Sequence, residues 1–186
     1  GKAFLNITYN PAAIEAGRYL EKKLGQKHLY LPLSYGFDEI EKTLDTLCEN
    51  LGVEKIDFSS NKQQALDALK KAKEVIGDTP IEIDYTLTLR PASLARLLLE
   101  NGFNVVSIYE DCFAGEEEED FKWIQENYPN LKIYATVHVK MRFVNRKRDE
   151  KLLALGQKAA YFTGSNNFVN IIEGGGMYGF SGIIKL

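Results

Sequence analysis

Short apolar runs alternate along this chain with longer stretches whose apolar residues recur at helical spacing. Ala3–Thr8 is an apolar run that predicts a strand. Asn10-Pro11 then opens a helix over Ala12–Leu24, with Ile14, Gly17, Leu20 and Leu24 near one face and Gly25 as its stop. Leu29–Leu33 predicts a second strand. Phe37–Leu51 predicts a second helix, because Phe37, Ile40, Leu44, Leu47 and Leu51 share one side. Asn61 caps a third helix, Lys62–Ile76, whose apolar side is narrow and whose remainder is lysine, glutamine and acid. It ends at Gly77-Asp78-Thr79-Pro80.

The second half repeats the alternation more regularly. Strands are predicted at Ile81–Leu87, Phe103–Tyr109, Leu131–Val137 and Ala159–Thr163. Helices are predicted at Pro91–Asn101, at Glu116–Asn127 and, heavily charged, at Arg142–Leu155. Asn167–Ile172 has no decisive period, and a glycine loop and a final helix start follow. Strands separated by helix-length segments predict an α/β fold of Rossmann-like parallel sheets flanked by helices. The expected organisation is a partial β-α-β-α lobe over 1–60, a bridging helix over 61–78 and a doubly wound domain over 79–186. The expected strand order of the second lobe is 2-1-3-4. Its crevice would then open between the first and third strands, with Thr86, Thr88 and Arg90 on one side and His138 with Lys140 on the other.

Composition narrows the function classes. With 186 residues and 45% hydrophobic content the chain can bury a sizeable core. A net charge of −3 gives no global basic field, so neither nucleic acid nor anionic membrane is an expected partner. No apolar run approaches a membrane span, and the chain opens with no basic-then-apolar leader. Cys48 and Cys112 have no metal-ligand spacing and make no disulfide framework, which favours a reducing, cytoplasmic setting. The chain begins Gly1-Lys2-Ala3-Phe4 and stops at Ile183-Ile184-Lys185-Leu186, as an excised piece of a longer protein would.

The glycine loop is the least generic stretch. Gly174, Gly175, Gly176, Gly179 and Gly182 lie within nine residues, and the first, third and fourth spell G-x-G-x-x-G. A dinucleotide fingerprint needs that spelling at the first strand-to-helix turn, with an acid about 20 residues later; here the chain ends too soon. As a phosphate loop it fails as well, because Phe180 stands where a lysine must meet the phosphates. Thr86-Leu87-Thr88-Leu89-Arg90-Pro91 precedes a helix and could bind an anion; capping by the threonines, with Arg90 paired to an acid, is the plainer reading. The acids Glu116 to Glu119 suit a helix N-terminus and need no metal. His28 and His138 lack a nearby ligand set.

Several segments in order resemble one family. They are Ala16–Gly25, Pro91–Val105, Phe121-x-Trp123-Ile124-x-Glu126-Asn127-x-Pro129-Asn130, and Gly156–Gly164 running through Phe168-Val169-Asn170 to Gly174 and Tyr178-Gly179-Phe180-x-Gly182. Together they resemble the carboxyl-terminal portion of nitrogenase component 1-type oxidoreductases. The resemblance implies a fragment of a subunit that takes part in ATP-coupled electron transfer to a bound metal cofactor or substrate. Its implied partners are a homologous component 1-type subunit and an ATP-dependent iron–sulfur reductase. An iron–sulfur cluster or related metal cofactor is implied for the full-length complex. None is expected in this fragment, because the family's cluster cysteines lie in an amino-terminal lobe outside it, and the fragment alone is expected to be inactive. The family's catalytic subunit ligates its cofactor through one cysteine and one histidine. Those positions fall near Thr8-Tyr9 and at Tyr178, where neither residue type is present. A cofactor-assembly scaffold of the same fold, or a nucleotide- or sugar-phosphate-binding module, are the alternatives. Any site is expected in the crevice facing the missing lobe, at Thr86, Arg90, His138, Glu173, Gly174, Gly176, Tyr178 and Gly179.

Overall fold

A computed structural model describes residues 3–113, 115–144, 151–172 and 176–186. The chain is α/β, with parallel strands throughout the described residues. β1 (Asn6–Thr8) and β2 (His28–Tyr30) form a two-stranded sheet, connected through α1 (Ile14–Leu24). Asn10 caps the one-turn 3-10 segment ahead of α1 by accepting from the Ala12 N–H, and Gly25 ends the helix in the left-handed conformation. α2 (Phe37–Leu51) and α3 (Ser59–Ile76) follow. α3 starts ahead of Asn61, because the Asp57 carboxylate takes the Ser59 N–H and provides the N-terminal acceptor.

The larger sheet contains β3 (Ile81–Asp84), β4 (Val105–Tyr109), β5 (Lys132–Tyr134), β6 (Leu153–Leu155) and β7 (Phe168–Val169). Its order is β5-β4-β3-β6-β7. Numbered within this sheet the order is 3-2-1-4-5, and not the expected 2-1-3-4. The strand order therefore reverses between β3 and β6, and the third strand lies at the far edge. A second correction concerns the fourth strand. Leu153–Leu155, expected at the end of a charged helix, is β6, and Ala159–Thr163, expected as a strand, lies in helix α6 (Gln157–Thr163). Gly156 turns the chain at φ +114° just before α6, and Gly164 closes the helix in the left-handed conformation. A five-residue apolar run fits a short helix as well as a strand, so the glycines at its two ends decide. Residues 139–143 form a 3-10 turn. Arg146, Lys147 and Arg148, within the expected charged helix, lie outside the described residues.

α4 (Pro91–Glu100) is buried on nearly every side; Ala92, Leu94, Ala95, Leu97, Leu98 and Leu99 are all inside. Each such leucine contributes roughly 1.5–3 kcal/mol on burial, which makes α4 a major anchor of the core. α5 (Glu118–Asn127) packs on α4, and α7 (Gly179–Lys185) packs on α3. Tyr35, Ile40, Ala65 and Leu69 join the core cluster that contains the sheet residues Ile81, Ile83 and Ile108. In the loop from β3 to α4, Leu87, Thr88 and Arg90 are buried while Leu89 stays exposed.

Candidate functional site

The loop between β3 and α4 gathers most of the polar chemistry. Arg90 stands at its end, with only 4% of its surface exposed. Its guanidinium donates to the backbone carbonyls of Leu33 (2.6 Å) and Glu116 (3.0 Å). Glu39 and Asp120 stand 3.4 and 3.5 Å from the same terminal nitrogen. Arg90 thus joins the segment before α2 to the start of α5. Asp120 answers by donating nothing and accepting from Arg96 (3.2 Å), so two arginines share it.

The N-terminus of α4 is occupied from within the chain. Glu117, 1% exposed, accepts from the N–H groups of Ala92 (2.8 Å) and Ser93 (3.2 Å). Those are the donors that an anion would use at a helix start. Burial pushes the Glu117 carboxyl up to about 7, against the lowering effect of the Ser93 N–H, the Arg90 charge and the Ala92 N–H. The acids at 116–119 were expected to serve their own helix. Glu117 instead serves its neighbour, which a run of four glutamates does not reveal.

A second internal carboxylate fills the point where strand order reverses. Asp84, fully buried at the end of β3, accepts from the Thr86 N–H (2.6 Å), from the Thr86 hydroxyl and from the Ala159 N–H. The Thr86 hydroxyl in turn accepts from the Gln157 N–H (3.2 Å). Asp84 lies directly over Gly156, where any Cβ would collide with the carboxylate. Asp84 was missed in the sequence; an acid inside a run of buried strand residues is the signal that marks it. Both helix starts next to the β3 crevice, α4 and α6, are thereby filled by the protein's own acids.

The described end of the glycine loop, from Gly176 onward, meets this junction through Tyr178. Its hydroxyl is 2.8 Å from the Thr88 hydroxyl and accepts from the Leu89 N–H at 2.9 Å. Its ring packs against Tyr35 with centroids 5.1 Å apart. Burial raises the Tyr178 phenol above its ordinary range. Thr88 also accepts from the Arg90 N–H (3.1 Å), tightening the turn into α4. Gly179 follows at φ +69° and donates to the Ser34 carbonyl (3.4 Å), and Gly176, at φ +85°, is exposed.

A family profile described as nitrogenase component 1 type oxidoreductase matches residues 1–172. The chain belongs to the nitrogenase component 1-type oxidoreductase family. The structure of nitrogenase Cp1 at pH 6.5 matches 98% of the chain with a TM-score of 0.61, at 14% sequence identity. The chain spans 43% of the length of that protein. No curated protein matches.

Within this component 1-type chain, the expected site residues separate into groups. Thr86, Arg90, Tyr178 and Gly179 gather around the β3–α4 loop. His138 does not join them. It lies beyond β5 at the sheet edge, exposed, with Nδ1 accepting from the Lys140 N–H (3.2 Å), and β4 intervenes between β5 and β3. Glu173 and Gly174 lie outside the described residues, and the family match ends before Gly176. Tyr178 and Tyr9 do not fit the ligand pair of an iron–molybdenum-type cofactor. Tyr178 already spends its hydroxyl on Thr88 and Leu89, and a phenol is a poor substitute for thiolate or imidazole on such a cluster. Among the described residues no group of three His, Cys, Asp or Glu side chains is placed to hold a metal ion.

Proposed function

We propose that this chain is part of a component 1-type subunit that takes part in ATP-coupled electron transfer to a metal cofactor or substrate held elsewhere in its complex. The supporting observation is the family match over residues 1–172. The partners in this reading are a homologous subunit and an ATP-dependent iron–sulfur reductase. The role of these residues is to frame and not to ligate. Arg90, Glu117 and Asp84 lock the β3 loop from inside, and Tyr178 ties the glycine loop to it. Closing both helix starts with internal acids works against a nucleotide or sugar phosphate at Thr86 and Arg90.

The test is the oxidation of a reduced iron–sulfur reductase by the full-length protein, assembled anaerobically with its homologous subunit. Oxidation that requires MgATP and the presence of this chain supports the proposal. A complex that binds a cluster yet accepts no electrons, with or without ATP, replaces it with the assembly-scaffold reading.

A further inference from the structure

A cavity of about 590 Å³ lies between α5, the length of β5 and the segment that follows β4. Phe113, Phe121, Tyr128 and Ile133 form its apolar walls, and Glu110 and Cys112 stand at its polar end. The Phe113 and Phe121 rings pack with centroids 4.8 Å apart. We propose that this cavity is a binding site for a small organic amine: an ammonium group carried on an aromatic or branched hydrocarbon body.

Glu110 supplies the recognition. One carboxylate oxygen accepts from the Asp111 N–H (3.1 Å) and the Cys112 N–H (3.4 Å), which fixes its position. No hydrogen bond among the described residues uses the other oxygen. The half-buried carboxyl is pushed up to about 7 by burial, against those two N–H bonds, and Asp111 and Asp84 push it further. Among the described residues Glu110 forms no salt bridge, and the nearby Lys158 charge acts on Asp111 and Asp84. Asp111 takes the ligand's charge less readily, because the Lys158 charge already acts on it, beside the Thr136 hydroxyl (2.6 Å) and the Val137 N–H (2.9 Å) on one oxygen. A half-buried carboxylate in a negative field gains from an ammonium ion more than from a neutral donor. The walls suit the rest of such a molecule, since aromatic faces attract cations and stack on rings. The volume falls within the roughly 300–1,000 Å³ usual for small-molecule sites. This inference does not rest on the electron-transfer reading.

Cys112 provides the readout. It is exposed and lines the cavity, whereas Cys48 is buried. The rate at which iodoacetamide alkylates each thiol of the full chain is followed by mass spectrometry. The added probes are phenethylammonium, 2-phenylethanol and 3-phenylpropanoate. Phenethylammonium should slow Cys112 alkylation saturably and leave Cys48 unreactive. The neutral alcohol should need about tenfold more ligand for the same protection, and the anion should give none. Glu110→Gln should weaken phenethylammonium about tenfold and leave the alcohol unchanged. Equal protection by all three probes, or none by phenethylammonium, would overturn the proposal on the unsubstituted protein, whatever the stability of the variant.

Discussion

Replacing Glu117 by alanine tests whether the start of α4 is held from inside. In the native chain one carboxylate oxygen serves the Ala92 and Ser93 N–H groups, and it stands 4.0 Å from the Arg90 Nε. The substitution leaves two buried donors without an acceptor, each costing about 1–3 kcal/mol. Arg90 keeps its carbonyl acceptors and two other acids, so its charge is not stranded. The expected loss is about 3–5 kcal/mol, in the range for breaking one side of a buried ionic cluster. Urea denaturation at pH 7.5, followed by the fluorescence of Trp123, the sole tryptophan, measures it. Glu117→Gln keeps an acceptor oxygen and should cost under about 1 kcal/mol. The same carboxyl gives a pH signature. Its ordinary value is 4.5 and its folded value about 7, so between these limits the folded chain holds a proton that the unfolded chain has lost. This group's contribution to stability must therefore fall as pH rises through that window and level off above it. Glu117→Gln should remove that part of the decline. In Glu117→Ala, sulfate should recover part of the lost stability by occupying the vacated donors, while the unsubstituted chain gains less. An alanine variant within about 1 kcal/mol of the parent, with no sulfate response, would refute the internal-anion account.

Three further outcomes follow from the same contacts. Tyr178→Phe removes the acceptor for the Leu89 N–H and the partner of the Thr88 hydroxyl; urea denaturation should show a loss of about 1–2 kcal/mol. Gly156→Ala puts a Cβ into the Asp84 carboxylate at a backbone angle that alanine resists, and should cost about 3 kcal/mol or more. Combining it with Asp84→Ala should cost less than the sum of the two single changes, because the collision is then gone. Gly17→Ala drives a methyl group into the His28 ring, which bonds the Thr8 hydroxyl at 2.8 Å, and should loosen the β1–β2 sheet as read by hydrogen exchange at Ile7 and Leu29.

Local signals carry most of the elements, while the pairing of strands leaves no local signal. Phe37–Leu51 was legible to the residue, because one apolar side and a closing glycine both point to it. Pro91 and the leucines after it likewise made α4 plain. The α/β class followed from the alternation of elements. Strand order did not, since nothing near Leu131 states that its strand pairs with β4 at the sheet edge while β6 takes the place beside β3. The short strand Leu153–Leu155 was hidden for a related reason: three residues are too few to show a period. At the site, the helix-entry loop at Thr86–Pro91 stood out, yet its partners did not. Glu117 is one of four consecutive glutamates, and only the fold selects it to turn inward. The resemblance marks Tyr178 as the position of a family histidine, and the structure gives the phenol a different use, bonding Thr88 and Leu89.

That use is the point on which the reading of this family member turns. Iron content and electron paramagnetic resonance spectra should be measured on the anaerobically isolated full-length protein and on its Tyr178→Phe variant. If Tyr178 braces the fold and ligates nothing, both preparations carry the same iron per chain and the same spectrum, while the variant unfolds at lower urea. A stoichiometric complex cluster that is present in the parent and lost on removing the single Tyr178 hydroxyl would contradict it.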